Sequence, residues 1–119
     1  MTTKAEMRQR VAEDLTLTVV GGAVQSQDQI RIDDTYDEVY ALLKNRGLAT
    51  WASTADVPAD VTPYYALMME EKLLISYSVS PARYERIVLG AGPGGEAALK
   101  MISSLVMPDY ESTDCEQDF

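Results

Sequence analysis

The side chains that most often carry out catalysis near neutral pH are almost missing from this sequence. It contains no histidine, so Ser-His and Cys-His nucleophile pairs, which need an imidazole base, are excluded. A single cysteine, Cys115, excludes an internal disulfide and a zinc site built from cysteines. Carboxylate and lysine chemistry remain open. These residue types favour a protein that is not an enzyme and that needs no metal or cofactor.

Three glycines, Gly90, Gly92 and Gly95, satisfy the G-x-G-x-x-G pattern of dinucleotide-binding loops. That loop requires a preceding β-strand, because its glycines hold a pyrophosphate at the start of the next helix. Here a helical pattern precedes the glycines, and Pro93 occupies the turn. A hinge or helix break is therefore the favoured interpretation, and a nucleotide site is the lesser alternative.

Four carboxylates lie close together at Asp33, Asp34, Asp37 and Glu38. Oxygen ligands of this kind suit Ca²⁺ or Mg²⁺. The four residues lack the alternating spacing and the glycine of an EF-hand loop. A solvated helix face is the favoured interpretation.

Aromatic and sulfur-containing side chains form a stripe at Tyr64, Tyr65, Met68 and Met69. Such a stripe is typical of core packing and also of a subunit interface rich in Tyr and Met. The only tryptophan, Trp51, lies in a predicted loop and either fills the core or anchors a neighbouring molecule. We keep all five residues as candidates for a partner interface.

The C-terminal residues 109–119 carry five acids and no base. The whole chain has 19 acids and 10 bases, a net charge of −9, so residues 1–108 have a net charge of −4. This balance disfavours wrapping of duplex DNA, which needs clustered Lys and Arg. Tyr110 and Phe119 punctuate the acidic segment and are further interface candidates. The segment is either a disordered terminus or one that orders on a basic partner.

A chain of 119 residues suits one small domain with a modest core. The apolar share of 46% is typical of a globular protein, and no run approaches the 18 apolar residues of a transmembrane helix. The polar first 14 residues do not resemble a signal peptide. We expect a soluble protein, kept in a reducing compartment and not bound to a membrane.

The first predicted element is a helix that begins with a capping box formed by Thr3 and Glu6 and runs to about Asp14. Residues 15–25 include a β-branched run without a partner strand, so we predict an extended or irregular connection. A helix over about 27–46 follows. It begins with a second capping-box pattern, Ser26 to Gln29, and ends at Gly47.

The third predicted helix begins near Pro58 or Pro63 and extends to residue 77. Apolar residues occur on nearly all of its sides between 64 and 77, and only residues 70–72 are assigned to water. A helix with so wide an apolar surface is central in its domain or also packs on another subunit.

A fourth helix is predicted to begin with Ser80 as its N-cap and Pro81 in its first turn. It meets the glycines of residues 90–95, and helical periodicity then resumes until Pro108. Either one helix is broken at Pro93 or a glycine-rich elbow joins two helices. The predicted fold is an all-α bundle of four to five helices, with an extended acidic C-terminal tail.

The order of these elements resembles the small helical head–tail connector (adaptor) proteins of tailed double-stranded DNA phages. The resemblance covers about residues 4–107 and is carried by the opening helix and by four short stretches. These are YDEVYALL at 36–43, GLATW at 47–51, DVP at 56–58 and the apolar third helix. The glycine-rich elbow departs from the uninterrupted helix of the family, and the acidic tail is not part of the shared pattern.

The resemblance implies a structural role without catalysis. Family members form a ring, commonly of twelve subunits, under the portal protein of the filled capsid. The ring extends the DNA channel and offers a docking surface to the tail or a tail-completion protein. Here it would comprise a connector domain over 1–107 and a tail or arm over 108–119. We therefore expect a virion protein of the head–tail interface, assembled in the host cytoplasm, through which DNA passes without sequence-specific binding.

An alternative class is a soluble acidic helical regulator that imitates the charge of DNA and occupies a basic partner. Such a protein spreads its acids over one continuous surface. Five of the 19 acids of this chain lie instead in the terminal segment, which weakens the alternative.

Overall fold

A computed structural model of the chain describes residues 2–92 and 95–106. Five helices follow one another: α1 (Lys4–Asp14), α2 (Ser26–Asn45), α3 (Thr62–Leu73), α4 (Pro81–Ala91) and α5 (Glu96–Val106). The described residues contain no β-strand, and their single bridge pairs Thr2 with Val57. The all-α fold class is confirmed, while the predicted tail over 108–119 lies outside the described residues.

The capping box of α1 forms as predicted. The Thr3 hydroxyl accepts a hydrogen bond from the Glu6 backbone N–H at 3.1 Å, and Glu6 Oε1 accepts one from the Thr3 N–H at 3.0 Å. Met7, Val11 and Leu15 are buried, as their helical spacing indicates. Hydrogen bonds at both ends of this first turn fix where α1 begins.

The start of α2 differs from the prediction, and the second capping box is wrong. Ser26 is already helical, Gln25 is the N-cap, and no side chain caps this end. The Gln29 side-chain amide instead donates to the Val24 carbonyl oxygen at 2.9 Å. The predicted C-terminus is confirmed, because Gly47 has φ +73° and this left-handed residue ends the helix.

Helix α3 is the central element and contacts α1, α2, α4 and α5. Pro63 lies in its first turn, as one of the two predicted starts requires. The helix ends at Leu73 rather than at residue 77. The assignment of Glu70 to water is also wrong, since this side chain is 3% exposed.

Two helices joined by a glycine-rich elbow replace a single C-terminal helix. Ser80 caps α4 by accepting a hydrogen bond from the Arg83 N–H at 3.3 Å. Gly92 and Gly95, at either side of the elbow, both have φ +77°, which glycine adopts without steric strain. The glycines therefore break the helix, as the favoured interpretation predicts, and the element before them is α4 rather than a strand.

The connection between α1 and α2 is irregular, as predicted. The Glu13 carboxylate accepts a hydrogen bond from the Gly21 N–H at 2.9 Å. The Gln9 side chain donates to the Gly22 carbonyl oxygen at 2.9 Å. These bonds fold the connection back onto α1.

One cluster of buried apolar side chains draws on all five helices. It also includes Leu48, Ala49, Trp51 and Val57 from the segment between α2 and α3. Among the described helices, none combines the length and apolarity needed to cross a membrane.

Candidate functional site

The predicted interface residues divide into three groups. Trp51, Tyr65, Met68 and Met69 are buried in the core of the chain. Tyr64 is half-buried and packs against the edge of that core. The two candidates from the acidic segment, Tyr110 and Phe119, lie outside the described residues. For the four buried side chains, core packing is the role that the structure shows.

Three ring contacts connect α2, the 48–57 segment and α3. The Tyr36 and Tyr65 ring centroids are 5.0 Å apart, and Trp51 lies 6.5 Å from Tyr65 and 6.3 Å from Tyr40. The Tyr65 hydroxyl donates to the Tyr36 carbonyl oxygen at 2.8 Å, and the Tyr40 hydroxyl donates to the Trp51 carbonyl oxygen at 2.7 Å. Burial raises the pKa of Tyr65 far above its ordinary value, so this phenol stays protonated and structural.

The acidic residues of α2 serve in part to hold α1. Arg8 makes a two-point contact with the Asp33 carboxylate at 2.9 and 3.0 Å, and Lys4 reaches Asp37 Oδ1 at 3.0 Å. Asp34, Asp37 and Glu38 are exposed, in agreement with a solvated face, whereas Asp33 is half-buried. Within residues 2–92 and 95–106, no group of three or more metal-ligating side chains could hold an ion.

A cavity of about 340 Å³ lies between α1, α3 and α4. Five ionisable side chains line it: Arg10 and Asp14 from α1, Glu70 from α3, and Arg83 and Arg86 from α4. The remaining wall is mostly apolar and is formed by Pro63, Ala66, Leu67, Ile87 and Gly90. We call it the α3–α4 cavity.

Glu70 is the unusual residue of the α3–α4 cavity. Its Oε2 atom is buried and has no hydrogen-bond partner. Burial and the neighbouring Asp14 carboxylate raise the pKa of Glu70 to about 9, against the opposing effect of Arg10 and Arg83. The carboxyl group is therefore protonated and neutral at pH 7.

The three arginines of the cavity differ in how far they are engaged. Arg83 Nη1 donates to the backbone carbonyl oxygen of Asp14. Arg10 Nε lies 4.0 Å from the Asp14 carboxylate. The exposed Arg86 forms no hydrogen bond or ion pair through its guanidinium with the described residues. With Glu70 neutral, three guanidinium groups face a single carboxylate, and the cavity has a positive charge.

Helical spacing in the sequence indicates that Glu70 is buried, although its place in the charged run 70–72 suggests exposure. Ala66, Glu70 and Leu73 stand at i, i+4 and i+7, and such residues share one helix face. Ala66 and Leu73 are both buried, so Glu70 is carried inward between them. Helix geometry therefore prevails over the preference of a carboxylate for water.

A second feature is apolar surface left in water. Ile75 is 93% exposed just beyond α3, and Ile30 is 65% exposed on α2. A groove of about 610 Å³ lies between α2 and the end of α3, with Ile75 on its wall and Arg31, Asp34, Glu38, Glu71 and Lys72 around it. Ile30 lines an adjoining depression that shares Arg31 and Asp34. We call this surface the α2–α3 groove.

Comparison of this chain with protein-family models, with curated proteins and with solved structures gives no match.

Proposed function

We propose that this chain is a structural, non-catalytic subunit of the head–tail connector ring of a tailed double-stranded DNA phage. Copies of the chain form a ring, commonly of twelve subunits, that binds the portal protein on one side. The other side receives the tail or a tail-completion protein, and DNA passes through the centre. The protein is then a component of the virion, assembled in the host cytoplasm.

The observation that carries this proposal is the exposed side chain of Ile75 on the wall of the α2–α3 groove, with the exposed Ile30 in the adjoining depression. Covering the side chain of Ile75 alone in an interface is worth about 2 kcal/mol. Arg31 and Lys72 stand beside Asp34, Glu38 and Glu71, so the rim offers both signs of charge to a partner. An apolar centre with a charged rim is the usual organisation of a subunit interface.

Two of the stretches that resemble the phage connectors lie in α2 and directly after it. The YDEVYALL stretch lies within α2, and GLATW follows directly where Gly47 ends that helix. The mild net charge of −4 over residues 1–108 suits a channel wall, since an acidic surface repels the DNA backbone and does not retain it.

The test compares Ile75→Asp with Thr54→Asp, which adds the same charge at an exposed position outside the groove. Sedimentation of the full chain, with and without the portal protein of the same phage, measures assembly. We expect the native chain and Thr54→Asp to form a large complex with the portal. Ile75→Asp should remain a small species with an unchanged circular dichroism spectrum.

Two results would overturn the proposal. One is a native chain that stays small with the portal, and the other is reproducible turnover of nucleotide or nucleic acid that a single carboxylate substitution abolishes. The alternative function is an acidic regulator that imitates the charge of DNA. It is supported by three acids that are exposed on α2: Asp34, Asp37 and Glu38. It predicts a small species that binds a basic protein and is displaced by duplex DNA.

A further inference from the structure

The α3–α4 cavity has more hydrogen-bond donors than acceptors. Arg86 has no partner among the described residues, and the remaining N–H groups of Arg10 and Arg83 belong to the same cavity lining. The protonated Glu70 adds no negative charge, because burial and the hydrogen bond with Asp14 raise its pKa and keep this carboxyl neutral at pH 7. A guest that satisfies these groups must bring acceptors with negative charge, and carboxylates match the planar guanidinium best.

The apolar wall of the cavity sets a second requirement. Leu67 and Ile87 line it together with Gly90, where a Cβ atom would come within 3.2 Å of Leu67 Cδ1. The glycine at position 90 therefore lets α4 pack closely against the Leu67 side chain of α3. A volume of about 340 Å³ accommodates an aromatic ring with a carboxylate on either side.

One segment of this chain has that composition. Asp109, Tyr110 and Glu111 place an aromatic ring between two acids, at the start of a stretch with five acids and no base. We propose that the α3–α4 cavity binds residues 109–111 of a second copy of this chain. The Tyr110 ring lies against the apolar wall, and the flanking carboxylates pair with Arg83 and Arg86.

Within its own chain, the segment has only a short reach from the end of α5. Tyr110 comes four positions after Val106, a span of about 14 Å at most. Helix α5 contacts α3 and α4 but not α1, whose Arg10 and Asp14 line the cavity. Contact between a segment of one copy and a cavity of the next is heterologous, and such contacts form a ring when the rotation between copies closes. The inference goes beyond the proposed function because it concerns the isolated chain, whichever particle contains it.

The first test uses a fluorescent synthetic peptide of residues 107–119, titrated into the full-length chain and followed by polarisation. Arg86→Gln should weaken binding about tenfold, because it removes one charged pair. Arg46→Gln, at an exposed position outside the cavity, should leave binding unchanged. A peptide that carries Asp109→Asn and Glu111→Gln loses both charged pairs and should bind more weakly than the native peptide binds Arg86→Gln. Equal binding of both peptides, or of all three proteins, would overturn the proposal.

The second test decides between a second copy and the same chain. Arg86→Glu and Glu111→Lys should each reduce assembly of the full chain, measured by sedimentation without the portal. Mixing the two variants should restore assembly, since each tail then meets a cavity of matching charge on the other variant. Mixing that restores nothing, while a chain with both changes assembles, would show a contact within one chain and overturn the proposal. A portal-dependent ring with no peptide binding would refute this inference and leave the proposed function standing.

Discussion

Replacing Glu70 with glutamine should change how the stability of this protein depends on pH. The carboxyl is 3% exposed, and its pKa is raised from 4.5 to about 9 in the folded chain. The folded state therefore holds a proton that the unfolded state releases. Because the folded pKa is the higher one, the stability is fully present below pH 4.5 and is lost as the pH rises towards 9.

The magnitude follows from proton linkage. Each pH unit within that window removes about 1.4 kcal/mol, so the native chain should lose about 4 kcal/mol between pH 5 and pH 8. Glu70→Gln carries no titrating proton and should lose none of this. The sequence has no histidine, so no imidazole titrates between pH 5 and pH 8 and adds its own change in stability. In the variant an amide atom replaces the unpartnered Oε2, which itself changes the absolute stability. The quantity compared is therefore the slope of the unfolding free energy against pH.

The assay is urea unfolding followed by far-UV circular dichroism at pH 5, 6, 7 and 8. Native chain, Glu70→Gln and Glu85→Gln are measured at one protein concentration where all three sediment alike. Glu85 is exposed on α4, and its substitution removes a carboxylate without opening the core. We expect the Glu85→Gln curve to parallel that of the native chain and the Glu70→Gln curve to be flat. If all three curves run parallel between pH 5 and pH 8, burial does not keep Glu70 protonated, and a second carboxylate then offsets part of the charge of the three arginines.

Two further substitutions test the packing that surrounds this site. Tyr65→Phe removes the 2.8 Å hydrogen bond to the Tyr36 carbonyl oxygen and should lower the free energy of unfolding by about 1 kcal/mol, measured by urea denaturation; no change would show that this bond adds nothing. Gly92→Ala should cost about 2 kcal/mol or more, because φ is +77° and the new Cβ would lie 2.8 Å from the Ala97 backbone nitrogen. Gly21→Ala shares the positive φ without any close atom and should cost about 1 kcal/mol, so equal thermal shifts for the two variants would contradict the reasoning.

Local signals were sufficient to locate most of the helices. The side-chain pair of Thr3 and Glu6 and the left-handed Gly47 act within one turn of the helix that they bound, so their effect can be read directly from spacing. The start of α4 was predicted for the same reason, from Ser80 followed by proline. The elbow was also predictable in kind, because glycine and proline restrict helix continuation wherever they occur.

The errors have causes that are distant in sequence. Residues beyond Leu73 have helical composition, yet the Tyr77 hydroxyl donates to Asp28 Oδ1 at 2.8 Å and its ring lies 5.5 Å from the Arg31 guanidinium. These contacts with α2 accompany the departure of the chain from the axis of α3. Asp33 was assigned to water for a related reason, since its partner Arg8 belongs to another helix.

Glu70 is the residue at which α3 departs from its own pattern. A buried carboxyl with an unpartnered Oε2 atom destabilises the fold at neutral pH, and the nearby Arg10 and Arg83 oppose this only in part. Sequences depart from local consistency chiefly where they bind something. Substitution of Tyr65 should therefore lower the free energy of unfolding. Substitution of the exposed Arg86 should change assembly and leave the free energy of unfolding constant.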